Sequence, residues 1–201
     1  MDFHWHKGIE EYIDALASDN ATPGGGSAAA ASGAIGCALA IMAMRVTAKL
    51  KATDPNIIPA LNNVSAEVET AENTLKKFTL EDSAAYQNYI NLKKEQKTNP
   101  EISLDNAITD MAIVPVNTAL ECIKVLKTLD NVKNGISPVI ASDMLCGQHM
   151  LFCTIRCCME MMRTNLPFVK VDAVITLLAQ TIEHCEQFLE ATPECPKQPE
   201  L

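Results

Sequence analysis

The chain has 201 residues, 48% of them hydrophobic but only 4% aromatic, enough for one domain with a real core. Its 16 Lys and Arg against 25 Asp and Glu leave a net charge of −9, which argues against nucleic acid as a partner because such binding rests on neutralising phosphates. Alanine- and leucine-type side chains without runs of Val, Ile, Thr and aromatics point to helices rather than strands.

In chain order, Ile9, Tyr12, Ile13, Leu16 and Ala17 recur at helical spacing, and Ser18-Asp19-Asn20 ends that first helix. The glycine run Pro23-Gly24-Gly25-Gly26-Ser27 follows and opens a second helix that extends to about Leu50. Its stretch from Ala28 to Met44 holds 17 residues without a charge, rich in Ala and Gly. That is at the short limit for a membrane span and only weakly lipophilic, so a buried helix and no membrane partner are expected. Asp54-Pro55 breaks the pattern. A third helix is expected over roughly Ile57 to Phe78 and a fourth from about Leu80 to Lys94, followed by a charged loop from Lys93 to Pro100.

The fifth helix runs to Leu129, with Pro115 expected to kink it by removing an internal hydrogen bond. After Asn131 to Gly135 come a sixth helix, about Pro138 to Arg163, and a seventh, about Val169 to Glu190. The reading is therefore all-α: an antiparallel bundle of about seven helices in a single domain over residues 1–191, with a disordered tail over 192–201. A helix as apolar on all faces as Ala28 to Met44 needs more cover than one small bundle gives, so a homodimer is expected. Met1 to Glu11 is polar and carries no secretory pattern, which suggests the cytoplasm, and the eight cysteines are expected as reduced thiols in helical core positions.

The glycine run admits two readings. Unpaired N–H groups at a helix start, left bare by three glycines, form a cradle for an anion or polar ring. The same residues are also ordinary turn chemistry. Cys146, His149, Cys153 and Cys157 lie along one stripe of the sixth helix, but a single helix cannot wrap a tetrahedral ion and the Met-rich surroundings favour packing, so no metal is expected.

The run Thr22 to Ser27, then Asp82-Ser83-Ala84-Ala85-Tyr86, Val114-Pro115, Asn134-Gly135, Ser142-Asp143 and Asn165 together resemble the ordered landmarks of the cyclodeaminase/cyclohydrolase family, over about residues 5 to 190. The resemblance implies an all-helical homodimer acting on the one-carbon unit of a tetrahydrofolate derivative, with no cofactor beyond that substrate. Members either expel ammonia from 5-formiminotetrahydrofolate or open the methenyl ring with water. A non-catalytic binding or assembly protein that keeps the fold is the alternative.

By the same resemblance Asp82 is the candidate catalytic acid/base, and Pro23, Gly24, Gly25, Gly26, Ser27, Tyr86, Asn134, Gly135, Ser142 and Asp143 are candidate substrate-binding residues. Asp143 would suit the amino-pyrimidine edge of a pterin, since a carboxylate accepts two parallel N–H bonds. For the glutamate tail, the start of the second helix, Arg45 and the lysines of 93–97 are all open as partners. Read without the family, Glu81 and Asp82 are acids favoured in the first turn of a helix, and Asn134-Gly135 is a helix-ending turn. The chain departs from the family pattern at Asn91-Leu92-Lys93-Lys94 and at Asn165-Leu166-Pro167-Phe168-Val169, which bears on substrate specificity.

Overall fold

The computed structural model describes residues 8–192. They form six α-helices: α1 (Ile9–Leu16), α2 (Gly25–Lys49), α3 (Ile58–Gln96), α4 (Asp105–Leu129), α5 (Ala141–Asn165) and α6 (Asp172–Ala191). Single turns of 3-10 helix at Lys133–Gly135 and Leu166–Phe168 lie on either side of α5. The tail expected from residue 192 falls, from 193 onward, outside the described residues.

The count is six rather than seven because the expected third and fourth helices are one. Phe78-Thr79-Leu80 contains no Gly or Pro, and the backbone runs through it unbroken to give a 39-residue helix. Asp82 therefore sits deep inside α3. The first-turn explanation for an acid at this position does not apply.

The core of the fold is an antiparallel set of four helices, α2 to α5, with α6 laid against α4 and α5. Their register is fixed at one level by Gly33, where an added Cβ would lie 3.2–3.4 Å from Cys122, Leu75 and Thr154 of the three neighbours. Fourteen residues of α2 are buried, among them Ala30, Gly36, Cys37, Ala40 and Met44, so the small-residue helix is the central element of the bundle. It is long and apolar enough to cross a bilayer by length and composition, but 67% of its most apolar window is covered by the protein itself. Small side chains permit that cover to be close. A Cβ on Gly36 would stand 2.7 Å from the Gly147 carbonyl, and one on Gly147 would stand 2.6 Å from the Gly36 carbonyl.

The open side of α2 carries exposed Ile35, Ala38 and Arg45, with Ser32, Met42 and Val46 half-buried alongside. Ile35 keeps 37% of its surface exposed. α4 continues helically through Pro115. The backbone there loses one internal donor, because proline has no N–H to give the carbonyl of Met111.

Candidate active site

Glycine at positions 24 to 26 lets α2 begin without side chains around its first N–H groups. No side chain caps this end in the usual way. The first-turn N–H of Ser27 donates instead to Asp82 Oδ2 at 2.8 Å, reaching across to α3. An added Cβ on Gly26 would fall 1.9 Å from Asp82 Oδ1, inside the carboxylate. The cradle foreseen for a ligand anion is thus filled by a carboxylate of the protein, and Gly26 is the residue that makes room for it.

Asp82 is largely enclosed, and loss of water raises its pKa above the ordinary carboxylate range while the Ser27 hydrogen bond pulls the other way. Ser27 is wholly buried and works on both sides. Its Oγ shares a 2.9 Å hydrogen bond with the hydroxyl of Tyr12, the buried residue of α1. Burial raises the Tyr12 pKa, with a further push from the charge of Asp82. Cys158 of α5, wholly buried, also feels that charge, and its thiol is held well above the usual range chiefly by burial. Asp82, Ser27 and Tyr12 thus meet at the Gly25 end of the bundle, with Cys158 within reach of the Asp82 charge.

The sequence-nominated residues divide between two ends. Pro23 is buried beside the glycine run, after a cis Thr22–Pro23 peptide. Tyr86 lies one turn beyond Asp82 on α3 and is 39% exposed. Asn134 and Gly135 lie at the far end, where the Gly135 backbone packs on Ile57 and the Ser137 N–H donates to Thr47 Oγ1 at 3.1 Å. From Ser27 to Thr47 is 20 residues of helix, about 30 Å. Asp143 is in the first turn of α5 with Ser142 Oγ 3.5 Å from its carboxylate, and Ile140 rather than Ser142 holds the capping position. The crossing of Gly36 with Gly147 and the Thr154 hydroxyl on the Ala29 carbonyl, 3.0 Å, set Asp143 about 20 Å along α2 from Asp82. One copy of the chain does not bring these two groups together.

Asn165, the last residue of α5, points its amide at the Met111 carbonyl, 3.5 Å away, the one that Pro115 leaves without its helical donor. Val-Pro and Asn, quoted above as separate landmarks, are therefore partners. In the sequence Tyr12 is one of several residues at helical spacing, and nothing in that spacing announces its hydroxyl bond to Ser27. Cys158 was read as core, which it is; its nearness to Asp82 depends on how α3 and α5 pack.

Cys146, Cys153 and Cys157, expected in the core, are instead free thiols on the exposed face of α5, because the side of the helix opposite Met144, Leu151 and Cys158 has no neighbour among the described residues. Among the described residues no group of three or more His, Cys, Asp or Glu side chains is placed to hold a metal ion. A cavity of about 410 Å³ opens between α4 and α6, lined by Leu120, Ile123, Lys124, Lys127 and His184, and contains none of the nominated residues.

Comparison with known proteins agrees with this architecture. The chain superposes on formiminotetrahydrofolate cyclodeaminase from Thermotoga maritima with a TM-score of 0.80, over 91% of this chain and 90% of that one, at 22% sequence identity. That likeness carries the fold. No curated protein matches the chain. The family described as formiminotransferase-cyclodeaminase matches residues 8–184, nearly the whole described length, and the chain belongs to that family.

Proposed function

We propose that this protein processes the one-carbon unit between N5 and N10 of a tetrahydrofolate derivative, as a methenyltetrahydrofolate cyclohydrolase or a formiminotetrahydrofolate cyclodeaminase, with Asp82 as the acid/base group. The observation that carries the reading is the enclosed carboxylate of Asp82, fixed by the Ser27 N–H and raised in pKa by burial. A carboxyl whose pKa is raised gives up and retakes a proton more readily than an ordinary one, and acid/base catalysis by a positioned group is worth about 10²- to 10⁴-fold.

In the hydrolytic direction the carboxylate takes a proton from water as its oxygen bonds to the methenyl carbon. It then returns the proton to N5 as the C–N5 bond breaks, and the remaining hydroxyl proton passes to solvent as the formyl C=O forms on N10. In the deaminating direction N10 bonds to the carbon of the protonated formimino group, –CH=NH2+, Asp82 accepts the N10 proton and passes it to the resulting amine, and the C–N bond breaks to release ammonia and leave the methenyl cation. Both courses pass through a tetrahedral carbon and need only proton transfers, so we assign no further cofactor. The seven described cysteines, all free thiols, fit a reducing compartment such as the cytoplasm.

We extend the proposal to a homodimer. The open stripe of α2 asks for cover, and a two-fold axis near Ile35 would set the Ser142–Asp143 end of one copy against the Asp82 end of its partner. Sedimentation at dilute concentration checks the dimer. For the reaction, near-ultraviolet absorbance of the methenyl compound is decisive: protein-dependent loss marks the hydrolase, and protein-dependent formation from the formimino substrate marks the deaminase. Rates no faster than the spontaneous ones in both assays overturn the reading.

A further inference from the structure

Asp82 does not end α3. The helix continues to Gln96, and none of its residues after Thr79 is fully buried, so beyond Asp82 and its bond to Ser27 this overhang lies largely outside the core. Its free end is tied down by the Gln96 side-chain amide donating to the Ile102 carbonyl at 2.7 Å.

The overhang is patterned. At 100° per residue, Asp82, Tyr86, Tyr89 and Lys93 fall within a sector of about 60°, with Lys97 at its edge, while Glu81 and Glu95 point elsewhere. The rings of Tyr86 and Tyr89 stand 6.1 Å apart at 45°. Lys93 folds back toward Asp82, its ammonium donating to the Tyr89 hydroxyl at 3.2 Å and lying 5.3 Å from the ring centroid. A ledge thus leads from the carboxylate across two aromatic rings to a positioned cation, on a protein whose net charge is −9.

We propose that this ledge seats the p-aminobenzoyl-glutamate arm of the substrate, with Tyr86 and Tyr89 against the ring and Lys93, then Lys97, on the carboxylates. The inference rests on the folate reading above and names the part of the ligand that lies along α3. Lengths agree. Lys93 is 11 residues past Asp82, about 16 Å of rise, and the backward lean of its side chain brings the ammonium to about 10–12 Å from the Asp82 level. An extended p-aminobenzoyl-glutamate places its two carboxylates about 10–13 Å from the aniline nitrogen, at standard bond lengths. Lys97, a further turn along, meets either the outer carboxylate or a second glutamate. The chemistry is complementary: a flat ring on aromatic faces, then anions on ammonium groups.

The test compares methenyltetrahydrofolate with its analogue lacking glutamate, methenyltetrahydropteroate, in the wild-type and Lys93→Gln proteins. Expected is a KM for the glutamate-bearing substrate that rises about two- to fivefold in the variant with kcat unchanged, the scale of one exposed ion pair. Turnover of the pteroate should be unchanged by the same substitution. With a diglutamyl substrate, Lys97→Gln should cost more than with the monoglutamyl one. If Lys93→Gln alters both substrates alike, or neither, the ledge is not the tail site although the folate reading stands. If the wild-type protein neither hydrolyses the methenyl compounds nor forms them from the formimino substrate above the spontaneous rate, both fail. Lys93 is exposed, so a thermal melt matching wild type separates these outcomes from misfolding.

Discussion

A Cβ on Gly26 would lie 1.9 Å from Oδ1 of Asp82, closer than any two such atoms can come. The glycine and the carboxylate belong to different helices and are 56 positions apart in sequence, yet each fixes what the other can be. Gly26→Ala must therefore push Asp82 away from the Ser27 N–H. Expected is a loss of activity of about 10²-fold or more, the scale of a displaced acid/base group, in a protein whose far-ultraviolet circular dichroism is that of wild type. Gly25→Ala is the control, because an added Cβ there meets nothing within 4 Å. Equal loss in both variants would detach the effect from Asp82.

The raised pKa of Asp82 carries a sign for stability. A carboxyl whose pKa is higher folded than unfolded binds protons more readily in the folded state, so stability falls as pH rises from the ordinary Asp value of about 3.9 through the folded one. Above that window the cost of the buried charge is present in full. Asp82→Asn keeps an oxygen for the Ser27 N–H and removes the charge. Its melting temperature relative to wild type should therefore climb between pH 4 and pH 8, while activity drops about 10²-fold or more. A difference in melting temperature that stays flat with pH contradicts the burial argument.

How much of this the sequence carried depends on the range of the interaction. Helical periodicity and the Ala/Gly content of residues 28–44 foretold an all-α bundle with a buried small-residue helix, because both are local properties. The break after Phe78 was misplaced. Glu81 and Asp82 imitate a helix start, and periodicity alone does not separate two abutting helices from a single helix 39 residues long. Asp82 and the glycine run were nominated singly, and a one-dimensional reading had no means of seating one inside the other. Likewise Asn134-Gly135 and Ser142-Asp143 looked like companions of Asp82 in sequence order. Only the antiparallel register of α2 and α5 puts them at a distance.

Asn165 and Pro115 make a quantitative case. The Met111 carbonyl lacks its helical donor because of Pro115, and the Asn165 amide stands 3.5 Å from it. The bond is long, so Asn165→Ala should cost about 0.5–1.5 kcal/mol in urea unfolding. Pro115→Ala returns an N–H to that carbonyl, and in its background the cost of Asn165→Ala should shrink toward zero. The double-mutant cycle reads the coupling directly. Additive losses would mean that Asn165 serves some purpose other than standing in for the missing donor.

Two glycines of α2 are expected to respond oppositely to the same substitution. A methyl on Gly33 meets the Cys122 thiol, a Leu75 methyl and the Thr154 methyl at 3.2–3.4 Å, all side-chain ends that shift by tenths of an ångström. Alanine also gains about 1 kcal/mol of helix propensity over glycine, so Gly33→Ala should come out near neutral. On Gly36 the methyl meets a backbone carbonyl, that of Gly147, at 2.7 Å. No rotamer relieves that contact. α2 and α5 must move apart, which strains the Thr154 hydroxyl between the Ala29 and Met150 carbonyls, 3.0 and 2.9 Å away. Gly36→Ala should therefore lose about 1–3 kcal/mol despite the better propensity, measured as a lower urea midpoint at unchanged slope. If Gly36→Ala proves as harmless as Gly33→Ala, the backbone crossing at Gly36 and Gly147 is not what sets the spacing of these two helices.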